Sequence, residues 1–131
     1  MDREASRVVA RMPATEDLPI TREQRAHPVR HPRHVSGGLM VHMTGIMGFV
    51  HAYYILDLRH AEGWIGYGVR IHNASFKALA EPGEPLLLEA RATRERNIRG
   101  QLFVRYDLRF EQAGKVVYLG DQTAAWTQVQ S

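Results

Sequence analysis

The clearest pattern lies in the second half of the chain. Over Gln101–Glu111, Leu102, Val104, Tyr106, Leu108 and Phe110 alternate with polar or exposed positions, the period of two that marks a half-buried strand. Arg7–Met12 reads as a short strand, Gly63–Asn73 as a strand rich in aromatic and β-branched residues, and Leu86–Arg96 and Lys115–Gln128 as two long ones. The punctuation between them is short: Glu81-Pro82-Gly83-Glu84, Asn97–Gly100 and Ala113-Gly114. Ahead of these strands stands an element of a different kind. Leu39–Leu56 is apolar on all sides and carries no formal charge over 18 residues, and Ser36 is placed to cap it as a helix. By length this run matches a membrane span, but it holds His42, Thr44, His51 and two glycines, and the strands after it supply a complete sheet. A helix of this kind is expected at the core of its own protein. Pro13–Arg33, with four prolines, is expected to be extended or looped.

These elements give an α+β class: one buried helix followed by long antiparallel strands joined by tight turns. At 131 residues the chain fits one domain, and neither a repeat nor a long linker divides it. Apolar and charged residues, 44% and 24%, are ordinary for a globular domain. The absence of cysteine excludes disulfides, thiolate metal sites and cysteine nucleophiles. The first residues lack the apolar core of a signal peptide, so the expected location is cytoplasmic, with no membrane partner. The net charge of +3 is uneven, with arginines crowded into Arg22–Arg33 and Arg91–Arg99, where an anionic partner would be drawn. Nucleic acid is not the expected one: Trp64, Tyr67, Phe103 and Tyr106 fall at strand positions that core residues occupy.

Three stretches carry a resemblance. His31-Pro32-Arg33-His34-Val35-Ser36-Gly37-Gly38-Leu39 is similar to the histidine-bearing loop that enters the central helix of the hotdog superfamily, in its FabA/FabZ-like dehydratase branch. Ser75-Phe76-Lys77-Ala78-Leu79-Ala80-Glu81-Pro82-Gly83-Glu84 resembles that branch's Phe-(Lys/Arg)-x-x-Val-x-Pro-Gly-Asp, and Gly114-Lys115-Val116-Val117-Tyr118 its last hairpin. The resemblance covers about Arg25 to Trp126; residues 1–24 hold the first strand and a polar loop. It implies a hotdog fold, one long central helix wrapped by an antiparallel sheet, acting on an acyl thioester of coenzyme A or of acyl carrier protein. The loop histidine of the dehydratases matches His27 or His31, and their helical acid falls at His42. Ser36-Gly37-Gly38 and Ile46-Met47-Gly48 also resemble the thioesterase branch, but its loop histidine is replaced by Ser36 and its helical carboxylate by Gly45.

The chemistry of a 3-hydroxyacyl dehydratase needs a base at C2 and an acid at the leaving hydroxyl, tasks suited to histidine. His27 or His31 is the expected base and His42 its partner. Backbone N–H groups around Ser36, Gly37, Gly38 and Leu39 could stabilise the thioester oxygen. On the helix, Gly45, Phe49 and Tyr53 share a face with His42, so Phe49 is expected to touch substrate. His51 lies on about the opposite face and reads as a hydrogen-bonded core histidine. Arg94 and Arg96, beside a turn, are candidates for the phosphates of the thioester carrier. No metal or other cofactor is implied: His27, His31 and His34 have workable spacing, but Arg25, Arg30 and Arg33 would repel a cation. The favoured reading is therefore a dehydratase. The alternatives are a thioesterase, drawing a carboxylate from elsewhere such as Asp57 or Glu62, and a non-catalytic thioester binder. One sheet of this size leaves an edge unpaired, so a homodimer or a dimer-based tetramer is expected.

Overall fold

The computed structural model describes residues 2–14, Val35 and 37–129. Its elements are β1 (Arg7–Met12), α1 (Gly37–Tyr54), a single 3-10 turn (His60–Glu62), β2 (Trp64–Phe76), β3 (Leu86–Ile98), β4 (Gln101–Gln112) and β5 (Lys115–Gln128). The strands form one antiparallel sheet in the order β1-β3-β4-β5-β2. Strands β3, β4 and β5 are a meander, and α1 carries the chain from one edge of the sheet to the other.

The alternation of β4 sorts its two faces. Val104, Tyr106, Leu108 and Phe110 are buried, joined on the neighbouring strands by Leu86, Leu88, Tyr118 and Trp126. The intervening positions carry charge. Arg7 pairs with Glu89 at 2.8 Å, Arg105 with Asp121 at 2.6 Å and Arg91 with Asp107 at 3.3 Å. Such exposed pairs contribute little each; what they show is that this face meets water.

The Ala113-Gly114 turn is the one the sequence suggests, and the Asn97–Gly100 turn is tighter than expected. Arg99-Gly100 and Ala113-Gly114 each place both central residues at positive φ (51° and 81°, 50° and 79°). That is the two-residue type I′ geometry whose twist matches the strands, so pairing continues to Ile98 opposite Gln101. β2 likewise runs three residues beyond its expected end, to Phe76. The Glu81–Glu84 turn is pinned by the buried amide of Gln112, which accepts from the Glu81 N–H at 2.8 Å and donates to the carbonyls of Glu81 and Glu84 at 2.6 and 2.9 Å.

Helix α1 lies on the sheet through Met40, Thr44, Met47, Gly48, His51 and Ala52, a stripe of three- and four-residue steps. It ends two residues earlier than expected. Asp57 takes a left-handed φ of 58° and the Leu58 N–H returns to the Ala52 carbonyl at 2.9 Å, closing the helix end. The wrapping is incomplete within a single chain: Ile46, Phe49, Tyr53 and Tyr54 stay exposed. Among the described residues no helix is long and apolar enough to cross a membrane.

The close seat of α1 can be tested at Gly48. A Cβ there would sit 3.9 Å from both the Tyr106 and Trp126 rings, ordinary contact for a methyl but not for a larger group. Gly48→Ala should fold with nearly unchanged stability in urea denaturation, whereas Gly48→Leu should lose about 1–3 kcal/mol by overpacking.

Candidate active site

Between α1 and the β2 edge lies a cleft of about 440 Å³. Its helical wall is Val41, His42, Thr44, Gly45, Gly48 and Phe49. The rotation that buries Met40, Thr44 and Met47 turns His42, Gly45 and Phe49 toward this side, at i, i+3 and i+7. The space is open at Gly45, where an added Cβ would meet nothing within 4 Å. The Thr44 hydroxyl is turned back onto the Val41 carbonyl at 2.5 Å.

Opposite stand Gly66–Ile71 of β2 and Gln122, Thr123, Ala124 and Trp126 of β5, with Tyr106 also in the lining. Gly66 is compulsory: a Cβ would lie 2.5 Å from the Trp126 indole nitrogen. Here β2 departs from regular pairing, with register shifts between Gly68 and Arg70 and between Ile71 and Asn73. Bulges of this kind re-aim side chains beside functional sites. The side chain of His72, at the second shift, makes a 2.6 Å hydrogen bond with the Thr123 hydroxyl. Among the described residues the charged or readily charged groups lining the cleft are His42 and Arg70; no carboxylate lines it.

Tyr106 is also the end of a buried hydrogen-bonded chain. The two ring nitrogens of His51, a residue with 0% exposure, meet the Ser6 hydroxyl at 2.7 Å and the Tyr106 hydroxyl at 2.8 Å. Ser6 is held in a left-handed turn (φ 51°), and its carbonyl accepts from the Ala92 N–H at 2.9 Å. Desolvation lowers the His51 pKa to about 4, so the imidazole is neutral near pH 7, donating through one nitrogen and accepting through the other. Burial likewise raises the Tyr106 pKa, keeping the phenol protonated.

The expected site residues fall into four groups. His42 and Phe49 are both in the cleft lining. Gly37, Gly38 and Leu39 form the first turn of α1, one turn before the cleft begins; a Cβ on Gly37 would come within 2.8 Å of the Phe76 ring. Arg94 and Arg96 are exposed on β3, opposite Arg105 and Phe103, and border neither this cleft nor its neighbour. His27, His31 and Ser36 lie outside the described residues. Of the two spare carboxylates, Asp57 is engaged by Arg3 at 3.4 Å and Glu62 sits in the 3-10 turn; neither lines the cleft. Tyr67, expected in the core, is exposed on the β2 edge. The lining residues Gly66, Gly68, Arg70, Tyr106 and Trp126 were not singled out by the sequence. Gly66-Tyr67-Gly68 inside a strand was the available signal, since glycine there marks a bulge or a close approach.

No protein-family model matches the chain, and no curated protein matches it. Solved structures do. A mutant of the fluoroacetyl-CoA-specific thioesterase FlK, in complex with fluoroacetate and CoA, is similar at TM-score 0.70 and 16% identity, over 94% of this chain and 93% of that one. A Thermus thermophilus hypothetical protein described as a thioesterase-superfamily member gives 0.64 and 18%, over 93% and 81%. A mutant thioesterase from Pseudomonas aeruginosa gives 0.62 and 19%, over 94% and 76%. With one long helix against a five-stranded antiparallel sheet, the chain has the hotdog fold.

The neutral state of His51 has a measurable consequence. Its folded-state pKa of about 4 lies below the ordinary 6.5, so the unfolded chain binds more protons between these values. Its contribution to stability is full above pH 6.5 and falls as pH drops toward 4, by on the order of 3 kcal/mol. Denaturant unfolding of wild type and His51→Gln at a series of pH values should give curves that converge on acidification across this window. Parallel curves would show that His51 is not buried neutral.

Proposed function

We propose that this chain is an acyl-CoA thioesterase of hotdog type, with His42 as the base that activates water. The observation that carries this reading is the placement of His42 on the helical wall of an apolar cleft with no carboxylate in its described lining. An imidazole there can take a proton as water attacks the thioester carbonyl. The tetrahedral intermediate then collapses, the C–S bond breaks, and the imidazolium returns the proton to the departing thiolate, leaving a carboxylic acid and free coenzyme A. The positive end of the α1 dipole, at Gly37–Leu39, favours the developing oxyanion. FlK, a fluoroacetyl-CoA-specific thioesterase of similar fold solved with fluoroacetate and CoA, favours hydrolysis over dehydration as the reading for this chain.

A 3-hydroxyacyl dehydratase is the second reading. It is favoured by His42 standing where the resemblance places the dehydratase acid, and its base would be His27 or His31. One assay separates the readings. Wild type should release free thiol from acyl-CoA substrates, and His42→Ala should lower kcat on the order of 10²–10⁴ with KM little changed. Full activity in His42→Ala would remove the histidine from the mechanism. Hydration of a trans-2-enoyl thioester without thiol release would establish the dehydratase, and binding without either reaction a non-catalytic binder. Parallel substrates on coenzyme A and on acyl carrier protein identify the handle.

We also propose a homodimer, with β2 pairing to β2 of a second copy. β2 is a 13-residue edge strand, and Tyr67, Val69 and Ile71 are 48%, 48% and 52% exposed along it. A long apolar edge is a template for pairing, and a two-fold axis through it would also bring the exposed side of α1 toward its copy. Light scattering should give twice the chain mass or a multiple of it, and Ile71→Lys should shift the population toward monomer. A stable wild-type monomer at low micromolar concentration would contradict this.

A further inference from the structure

Past Phe49 the same side of α1 borders a second cavity, of about 540 Å³. Its character differs from that of the cleft. Tyr53, Tyr54, Trp64 and Trp126 give it aromatic walls, and its one readily charged group is His60. The two cavities share three residues: Phe49, Gly66 and Trp126. Gly66 contributes no side chain, and Trp126 is buried, with its ring lying against the Gly66 backbone. That leaves Phe49 as the one shared side chain that projects from the helix. Its ring meets Trp126 edge-on, with centroids 6.5 Å apart, and is 54% exposed. His42 lies seven residues before Phe49, about 10 Å along the helix axis, and Tyr53 one further turn beyond.

We propose that Phe49 is the acyl-length selector of this site, dividing one groove into a reaction chamber at His42 and an aromatic chamber beyond. The proposal rests on the thioesterase reading above. A short acyl group ends in front of the Phe49 ring, and a long one must displace the ring to enter the second chamber. Phe49 makes few contacts that the fold depends on, so its removal opens the partition while α1 stays seated on its buried stripe.

The test is the ratio of kcat/KM for dodecanoyl-CoA to that for butyryl-CoA, in wild type, Phe49→Leu and Phe49→Ala. Binding of the corresponding non-hydrolysable thioether analogues by calorimetry gives a second readout. Wild type should favour butyryl, and Phe49→Ala should move the ratio toward dodecanoyl by tenfold or more, with Phe49→Leu between them; a few methylenes in an apolar pocket suffice for that. The same order should appear in analogue affinity, with dimer mass unchanged. An unchanged ratio in folded, active Phe49→Ala would overturn the selector and leave the thioesterase reading standing. A wild type that already prefers dodecanoyl would do the same. If Phe49→Ala does not fold, Phe49→Leu decides by the same criterion. Absence of thiol release from any acyl-CoA by wild type would instead defeat the underlying reading, and the selector with it.

Discussion

The seat of one helix on one sheet governs everything else in this molecule. Helix α1 carries apolar groups around nearly its whole circumference, yet a single five-stranded sheet can cover only one side of it. The side it covers is the stripe Met40, Thr44, Met47, Gly48, His51 and Ala52, with Gly48 seated against the Tyr106 and Trp126 rings and His51 against Tyr106. Once that stripe is down, the positions of all other helical side chains follow. His42, Gly45 and Phe49 stand on the exposed part of the helix surface, away from the stripe, and line the cleft toward β2. Gly45 keeps the space beside it open, while Gly48 lets the helix sit close to the sheet.

A polar lock fixes the same rotation. His51 reaches the N-terminal turn through Ser6 and the cleft lining through Tyr106. A buried imidazole with both nitrogens paired tolerates little displacement, because leaving either unpaired costs on the order of 1–3 kcal/mol. The N-terminal turn, the helix and β4 are thereby tied at a single point. Ser6, His51 and Tyr106 come from three separated parts of the chain, so the lock exists only in the assembled fold.

Most of the fold was legible because it is written in local periodicity. The alternation in β4 and the uncharged run of α1 each identify an element without knowledge of the rest. The short turns were legible in outline, and the helix end was off by two residues because the Leu58-to-Ala52 closure uses Asp57 in a left-handed conformation, with no glycine to announce it. The site was legible only in part. His42 and Phe49 could be named because helical spacing links them. Arg70, Tyr106 and Trp126 could not, since their approach to the cleft depends on strand order and on two shifts of register in β2. Ser6 as a partner of His51, 45 residues away, leaves no local trace at all. The resemblance led correctly to the fold, and fold alone does not select among reactions.

The central claim is that an acyl thioester lies in the cleft with its carbonyl at His42. A crystal structure with a non-hydrolysable butyryl-CoA thioether tests it most directly. The account predicts the acyl group between α1 and β2, ending before Phe49, with a water or the carbonyl-equivalent position within about 3.2 Å of a His42 ring nitrogen. An analogue bound along Arg94 and Arg96 of β3, with the cleft at His42 left empty, would contradict it.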